Sequence, residues 1–201
     1  VTIQLDWMPE AEHGFIYLRS EYPDIDMKFL SDREGGGQIF LIPSQGGQAR
    51  QITFNSVAST ICDWFPDGKS LLVNTVRNTW RQSLARVDLE TGRLTSVVQD
   101  DLNLRYASVS PDGKRISFTR GALADVIRKG YKGSANYDIY IAPSDGSAPA
   151  KKLTDSDLND MYSAWGADGK TVYFASEREG TFGLWKQSLG GRPTPAFRDA
   201  P

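Results

Sequence analysis

The side chains that most often carry out nucleophilic or acid–base chemistry are scarce in this chain. Its 201 residues include one histidine, His13, and one cysteine, Cys62. A Ser-His-Asp arrangement needs a histidine base that is oriented by an acid and faces a nucleophile. We expect His13 to be a solvent-exposed residue of a degenerate hairpin turn, and Cys62 to be a buried, inert thiol in an apolar strand. The chain by itself is therefore predicted not to be catalytic.

Acidic side chains cluster at two points in the sequence. Asp100 and Asp101 form one group, and Asp155, Asp157 and Asp160 form the other. Paired carboxylates can act as acid and base or bind a hard cation. The twelve-residue calcium-loop pattern is absent, however, and solvated loop acids are the simpler interpretation. One histidine and one cysteine do not make a zinc cluster, so we predict neither a metal nor a cofactor.

Two loops combine basic and aromatic side chains, a combination that suits peptide binding. Guanidinium groups pair bidentately with carboxylates, and an aromatic side chain can anchor a partner. The candidate peptide-binding residues are Arg77, Trp80, Arg81, Arg128, Lys129, Tyr131 and Lys132. The competing interpretation is a solvated loop rim.

A repeated motif indicates which elements position these loops. ICDWFPDGKSLLV begins at Ile61, YASVSPDGKRISF at Tyr106 and YSAWGADGKTVYF at Tyr162. A weaker copy, LDWMPEAEHGFIYL, begins at Leu5. Periods of this length are typical of propeller blades or solenoid coils.

The centre of each copy is predicted to be a tight turn between two strands. Proline fixes φ for the first corner, aspartate bonds local backbone N–H groups, and glycine accepts a positive φ. The turn residues are Pro66, Asp67, Gly68, Pro111, Asp112, Gly113, Asp168 and Gly169. We interpret them as structural rather than as a binding site.

Alternating apolar residues around these turns favour four short strands in each unit and an all-β fold. We predict a β-propeller of four four-stranded antiparallel blades, with boundaries at roughly 1–53, 54–98, 99–154 and 155–201. The turns between strands one and two, and between strands three and four, lie on one side, the turn face. The connections between strands two and three, and between units, lie on the opposite side, the loop face.

The loop face carries the length variation that usually accompanies function. GALADVIRKGYKGSAN interrupts the third unit, and EYPDIDMKFLSDREGGG is predicted to be a long excursion of the first unit.

Composition narrows the range of partners. A formal net charge of −2 gives no support for nucleic acid as a partner. No run of apolar residues is long enough to span a bilayer, and the first residues lack the features of a signal peptide. The compartment stays open between cytoplasm and periplasm.

The repeat resembles propellers of TolB-type proteins, prolyl-oligopeptidase-type hydrolases and tricorn-type proteases. SPDGKRISF carries the general resemblance. DREGGGQIFLIPSQGGQARQIT and the insertion Tyr131-Lys132-Gly133-Ser134, followed by Asp138-Ile139-Tyr140, are similar to the amino-terminal propeller of tricorn-like serine peptidases.

That resemblance implies a six-bladed ring, of which four blades are present here, and a catalytic part elsewhere in the parent protein. The expected function is a scaffold, gate and peptide-binding surface that is not itself catalytic. The expected partners are peptides or protein segments, the remaining blades and the catalytic part. Four blades of a larger ring leave open ends, from which we expect the chain to self-associate, and the alternative is that the four units close as a small ring. The alternatives are a TolB-like envelope binding protein without enzymatic activity and the propeller of a prolyl-oligopeptidase-type hydrolase.

Overall fold

The structure is a computed structural model that describes residues 16–17, 27–31, 38–43, 47–54, 59–76, 83–121 and 136–197. Every regular element in these ranges is a β-strand, and the strands form four four-stranded antiparallel sheets. This confirms the all-β class. The chain divides into two compact units, residues 1–60 and 61–201.

The first unit contains sheet 1, whose strands are adjacent in chain order. They are β1 (Ile16–Tyr17), β2 (Met27–Ser31), β3 (Gln38–Ile42) and β4 (Arg50–Gln51). A buried hydroxyl ties β3 to the segment after β4. Thr53 Oγ1 accepts a hydrogen bond from the Ile39 amide at 2.9 Å and donates one to Gln38 Oε1 at 2.9 Å.

The positions of the first two strands that the sequence predicted for this first unit were wrong. The weaker copy at Leu5 predicted a turn with a second strand after it, near the end of the copy, but among the described residues Ile16–Tyr17 is the first strand of sheet 1. The second strand is Met27–Ser31, inside the segment that was expected to be a loop excursion.

The second unit contains three sheets of the same topology, although β5 begins two residues before the boundary. Sheet 2 consists of β5 (Ser59–Trp64), β6 (Ser70–Thr75), β7 (Ser83–Asp88) and β8 (Leu94–Val98). Sheet 3 consists of β9 (Asn103–Val109), β10 (Arg115–Gly121), β11 (Asp138–Pro143) and β12 (Lys151–Lys152). Sheet 4 consists of β13 (Asp160–Trp165), β14 (Thr171–Ser176), β15 (Gly183–Ser188) and β16 (Thr194–Pro195).

The repeated motif forms the turn between the first and second strand of each of these three sheets. Its glycines have positive φ, 69° at Gly68, 70° at Gly113 and 61° at Gly169. In sheet 2, the Gly68 amide donates to the Phe65 carbonyl at 3.0 Å, and Asp67 Oδ1 accepts from the Lys69 amide at 2.9 Å. Glycine is required here because other residues pay a steric cost for this backbone conformation.

Successive turns contact one another along the turn face. A Cβ atom on Gly113 would lie 3.3 Å from Pro66 Cδ of the preceding sheet, and one on Gly169 would lie 3.8 Å from Pro111 Cδ. Arg115 adds a hydrogen bond from its guanidinium to the Gly169 carbonyl at 3.0 Å. The motif therefore shapes each turn and also sets the spacing between neighbouring sheets.

Among the described residues of the second unit, two apolar cores lie between the sheets. Sheets 2 and 3 enclose the larger one, formed by Phe65, Leu72, Leu84, Val98, Leu104, Ala107, Val109, Ile116, Phe118 and Ala142. Sheets 3 and 4 enclose Ile139, Val172 and Phe174. Leu84, Ile139 and Leu184 stand at the same position of successive third strands, yet Leu84 and Ile139 are 0% exposed and Leu184 is 45% exposed. The outer face of sheet 4 is therefore less covered than the equivalent faces of sheets 2 and 3.

Candidate functional site

The residues predicted from sequence to bind peptide lie outside the described residues. They are Arg77, Trp80, Arg81, Arg128, Lys129, Tyr131 and Lys132. The structure does describe the strand ends from which their loops leave and to which they return, and the loop face around those ends.

The long connection of sheet 3 leaves β10 at Gly121 and rejoins the described chain at Asn136. A Cβ atom on Gly121 would overlap the Tyr137 ring and lie 2.9 Å from the Asn136 carbonyl oxygen. The Asn136 amide nitrogen Nδ2 donates to the carbonyls of Ser156 at 2.8 Å and Leu158 at 3.2 Å. The two ends of this connection therefore touch, and Asn136 bonds the second end to the segment that leads into sheet 4.

Asn159 extends this anchorage into sheet 4. Its Oδ1 accepts from the Tyr137 amide at 3.2 Å, and its Nδ2 donates to Glu177 Oε2 at 2.9 Å. The Asp160 amide donates to the Tyr137 carbonyl at 2.8 Å. The side-chain amide thus joins three segments of the loop face, and its burial makes each of these bonds costly to break.

Buried acidic groups lie next to this anchorage. Asp160 is 0% exposed and accepts a 2.6 Å hydrogen bond from the Arg178 guanidinium. Burial raises the pKa of Asp160, although the Ser176 hydroxyl and Arg178 oppose the shift. The prediction that Asp160 is a solvated loop acid was wrong. Asp160 is the buried first residue of β13, and its partner Arg178 follows β14.

Asp138 is the second buried carboxyl group of this region. Burial raises the pKa of Asp138 to about 6, against the opposing effect of the Lys152 ammonium, which lies 3.0 Å from its Oδ2. Nearby Asp160 adds a further upward contribution to the pKa. Within the described ranges, no group of three or more His, Cys, Asp or Glu side chains is arranged to hold a metal ion.

Two tyrosines on neighbouring first strands form an exposed aromatic pair. Tyr106 of β9 is 40% exposed and Tyr162 of β13 is 48% exposed. Their ring centroids are 4.2 Å apart and their planes are tilted by 42°. Hydrogen bonding with the phenol of Tyr106 raises the pKa of Tyr162, so the Tyr162 phenol stays protonated at neutral pH. Tyr106 is the central residue of β9, and Tyr162 is the third residue of β13.

The backbone is strained at both tyrosines. Tyr106 has a φ of 51° and Tyr162 a φ of 59°. A bulky residue at positive φ is an outlier and costs about 1–3 kcal/mol. Both positions coincide with irregularities in strand pairing, where β9 pairs with β10 and β13 with β14. A bulge of this kind redirects a side chain and is common next to functional sites.

Hydrogen bonds between the sheets hold this strained arrangement. The Tyr162 amide donates to Thr119 Oγ1 of sheet 3 at 3.3 Å. Ser163 Oγ donates to the Tyr106 carbonyl at 3.4 Å. The equivalent residue of sheet 2, Ile61, is 2% exposed. The exposed pair is therefore a feature of sheets 3 and 4.

A cleft of about 440 Å³ lies between sheets 2 and 3, away from the tyrosine pair. Val97, Tyr140 and Ala150 line it together with Arg120 and Asp100, which form a 2.8 Å ion pair. Burial raises the pKa of Asp100, but the hydrogen bonds from Arg120 and the Leu102 amide outweigh it and hold that pKa below its usual value. Because the two charges neutralise each other, we interpret the pair as structural.

Comparison with known proteins identifies the sheets as propeller blades. Residues 26–196 match the family described as the tricorn protease N-terminal beta propeller domain. The chain belongs to this family. The predicted β-propeller fold and the resemblance to tricorn-like propellers are thereby confirmed, whereas the six-bladed ring stays a prediction.

The relatives of this tricorn-type propeller include peptidases. It is 29% identical over 151 residues to the uncharacterized peptidase YuxL of Bacillus subtilis strain 168, covering 75% of this chain and 20% of that protein. It is 24% identical over 169 residues to tricorn protease homolog 1 of Streptomyces coelicolor, covering 81% and 15%. The chain thus spans a small part of these curated relatives.

A solved structure shows the same fold. The putative TolB from Agrobacterium tumefaciens aligns with a TM-score of 0.68 and 25% identity, covering 86% of the tricorn-type propeller and 61% of that chain. No helix in the described part of the chain is long and apolar enough to cross a membrane.

The tyrosine pair was missed in the sequence, although a signal was present. Tyr106 and Tyr162 each stand seven residues before the turn glycine of their unit. An aromatic residue at the same offset in two neighbouring copies indicates side chains that meet between the first strands of neighbouring sheets.

Proposed function

We propose that the chain is the non-catalytic, peptide-binding propeller of a tricorn-like serine peptidase. The family match supports the tricorn-like part of this proposal, and the peptidase names of two relatives support a parent protein that hydrolyses peptides. In this proposal the remaining blades and the catalytic part lie elsewhere in the parent chain, and the propeller serves as their scaffold and gate.

The exposed Tyr106–Tyr162 pair is the observation that carries the binding role. Large aromatic side chains bury about 150–250 Å² each and are favoured inside a protein or at its interfaces. Here two of them remain exposed while the backbone is strained by about 1–3 kcal/mol at each position. Such strain persists where the surrounding structure holds it, and it is concentrated at binding and catalytic sites.

The pair suits an extended peptide better than a charged ligand. Its faces offer apolar area for proline or leucine side chains, and its hydroxyl groups can bond to peptide carbonyls. The loop residues predicted from sequence, among them Arg128 and Tyr131, are proposed to extend this surface.

Equilibrium binding of labelled peptides tests the proposal. The probes are an unstructured fluorescein-labelled peptide rich in proline and leucine, and a glycine–serine peptide of equal length. Tyr106→Asn and Tyr162→Asn remove the rings while keeping a residue that tolerates positive φ. We expect the double variant to lose about 10- to 100-fold in affinity for the first probe, since aromatic contacts contribute about 0.5–1.5 kcal/mol each.

Phe197→Ala is the matched control, because Phe197 is an exposed aromatic residue that follows β16, at the opposite edge of sheet 4 from β13. Phe197→Ala should leave the affinity for the first probe unchanged. In a separate assay, the chain should not hydrolyse a fluorogenic peptide. Equal binding of both probes, or equal loss in the Phe197→Ala and tyrosine variants, would contradict a specific peptide site.

A TolB-like binding protein without a peptidase partner is the second candidate. The alignment with the putative TolB, which reaches 61% of that chain, favours it. The sequence of the complete parent protein separates the two candidates, because a serine peptidase needs a nucleophile and base that the TolB-like protein lacks.

A further inference from the structure

The Tyr106–Tyr162 pair also has the geometry of an oxidative cross-linking site. At a centroid separation of 4.2 Å, carbons of the two rings are in van der Waals contact. Both rings are open to solvent, at 40% and 48% exposure. The two residues belong to different sheets and lie 56 positions apart in the chain.

We propose that Tyr106 and Tyr162 form a dityrosine bond when the protein meets a one-electron oxidant, such as hydrogen peroxide activated by a haem peroxidase. Each phenol gives up one electron and one proton and becomes a phenoxyl radical. The two radicals couple through ring carbons adjacent to the C–O carbons, which forms one C–C bond. The hydrogens on the coupled carbons then return to the oxygens, which restores both phenols.

The reaction balances with peroxide as the acceptor. Two tyrosines and one hydrogen peroxide give one dityrosine and two waters, so the protein loses two hydrogen atoms in total. No other group of the protein has to change its oxidation state.

Positioning favours coupling within the chain over coupling between chains. The hydrogen bonds from the Tyr162 amide to Thr119 and from Ser163 to the Tyr106 carbonyl hold the two strands in place. Reactants held in contact behave as if at very high concentration. Tyr140, in contrast, stacks on Phe118 rather than on a second tyrosine, and Tyr137 is buried.

The bond would connect the first strands of sheets 3 and 4. A cross-link between residues far apart in the chain restricts the unfolded state and so raises stability. It would also consume the aromatic surface on which the peptide site depends. The inference itself needs only the two rings and stands whether or not the chain binds peptides.

Peroxidase and hydrogen peroxide applied to dilute protein test the proposal, with dityrosine fluorescence and tryptic mass spectrometry as readouts. Cleavage after Arg105, Lys114, Lys152 and Lys170 releases each tyrosine in its own peptide, residues 106–114 and 153–170. We expect these two peptides joined, lighter than their sum by two hydrogens, in a product that runs as a monomer. The oxidised protein should unfold at a higher urea concentration than the untreated protein.

Tyr106→Phe and Tyr162→Phe should each abolish the joined peptide, because phenylalanine has no phenol to oxidise. Tyr140→Phe and Tyr173→Phe are matched controls and should retain it. The proposal is overturned if the parent gives no joined peptide, or if the chain forms only intermolecular dimers. It is also overturned if the dityrosine signal survives in both site variants at parental strength.

Discussion

Alanine substitutions at the three turn glycines should separate backbone strain from contact between neighbouring sheets. Gly68, Gly113 and Gly169 share a φ between 61° and 70°. An added Cβ meets nothing within 4 Å at Gly68 and an ordinary 3.8 Å contact with Pro111 at Gly169. At Gly113 it approaches Pro66 Cδ to 3.3 Å, closer than normal packing allows.

The expected magnitudes follow from these distances. A left-handed alanine costs about 1–2 kcal/mol relative to glycine, and all three variants carry that cost. Crowding in a packed contact costs about 1–3 kcal/mol when nothing can move, and less when a proline ring can shift by a few tenths of an ångström. We therefore expect Gly68→Ala and Gly169→Ala to lose about 1 kcal/mol, and Gly113→Ala to lose roughly twice as much.

Urea unfolding followed by tryptophan fluorescence measures these differences in the free energy of unfolding. Pro66→Ala provides the decisive control, because it removes the atom that Gly113→Ala would crowd. In the Pro66→Ala background the extra loss at Gly113 should disappear, giving a coupling energy of about 0.5–1 kcal/mol. Equal losses in all three single variants, or an unchanged Gly113 effect without the proline, would refute contact between neighbouring turns.

Two further perturbations address the loop face. Gly121→Ala should destabilise the protein by about 1–3 kcal/mol, because the added Cβ would overlap Tyr137. Backbone strain plays no part, since the φ of Gly121 is not left-handed. An unchanged urea midpoint would contradict the close approach of Gly121 to Tyr137. Burial gives Asp138 a pKa of about 6 against an ordinary 3.8, so the folded protein holds this proton more tightly and loses stability as pH rises from about 4 through 6. As pH rises over this window, the urea midpoint of Asp138→Asn should fall less steeply than that of the parent. Asp160, whose pKa is also raised, supplies the remaining pH dependence. Identical pH dependence in the variant and the parent would exclude Asp138 as the source.

The fold was predictable wherever the local pattern was complete. Three copies retain the Asp-Gly pair, and each forms a turn between its first two strands. Sheet 1 was misassigned because Ile25 stands where the turn glycine is expected. The better guide was distance along the chain, since Met27 begins β2 four residues after Pro23 just as Arg115 begins β10 four residues after Pro111.

The loop-face chemistry was harder to predict because it depends on contacts between distant residues. Asp160 is one of several aspartates in a polar segment, and nothing local distinguishes it from Asp155 or Asp157. Its burial follows from Arg178, which β14 brings back beside the start of β13.

The tyrosine pair shows a second limit of pattern-based reasoning. Strict alternation assigns each residue of a strand to one face, and an irregularity in strand pairing changes that assignment for every residue beyond it. In β9 the buried positions are Leu104, then Ala107 and Val109, so the alternation slips by one residue beside Tyr106. The irregularity that interrupts the alternation also places Tyr106 at a positive φ and exposes its ring to solvent. The break in strand pairing, the backbone strain and the exposed ring coincide in two neighbouring sheets, so a rule of strict alternation misses all three at once.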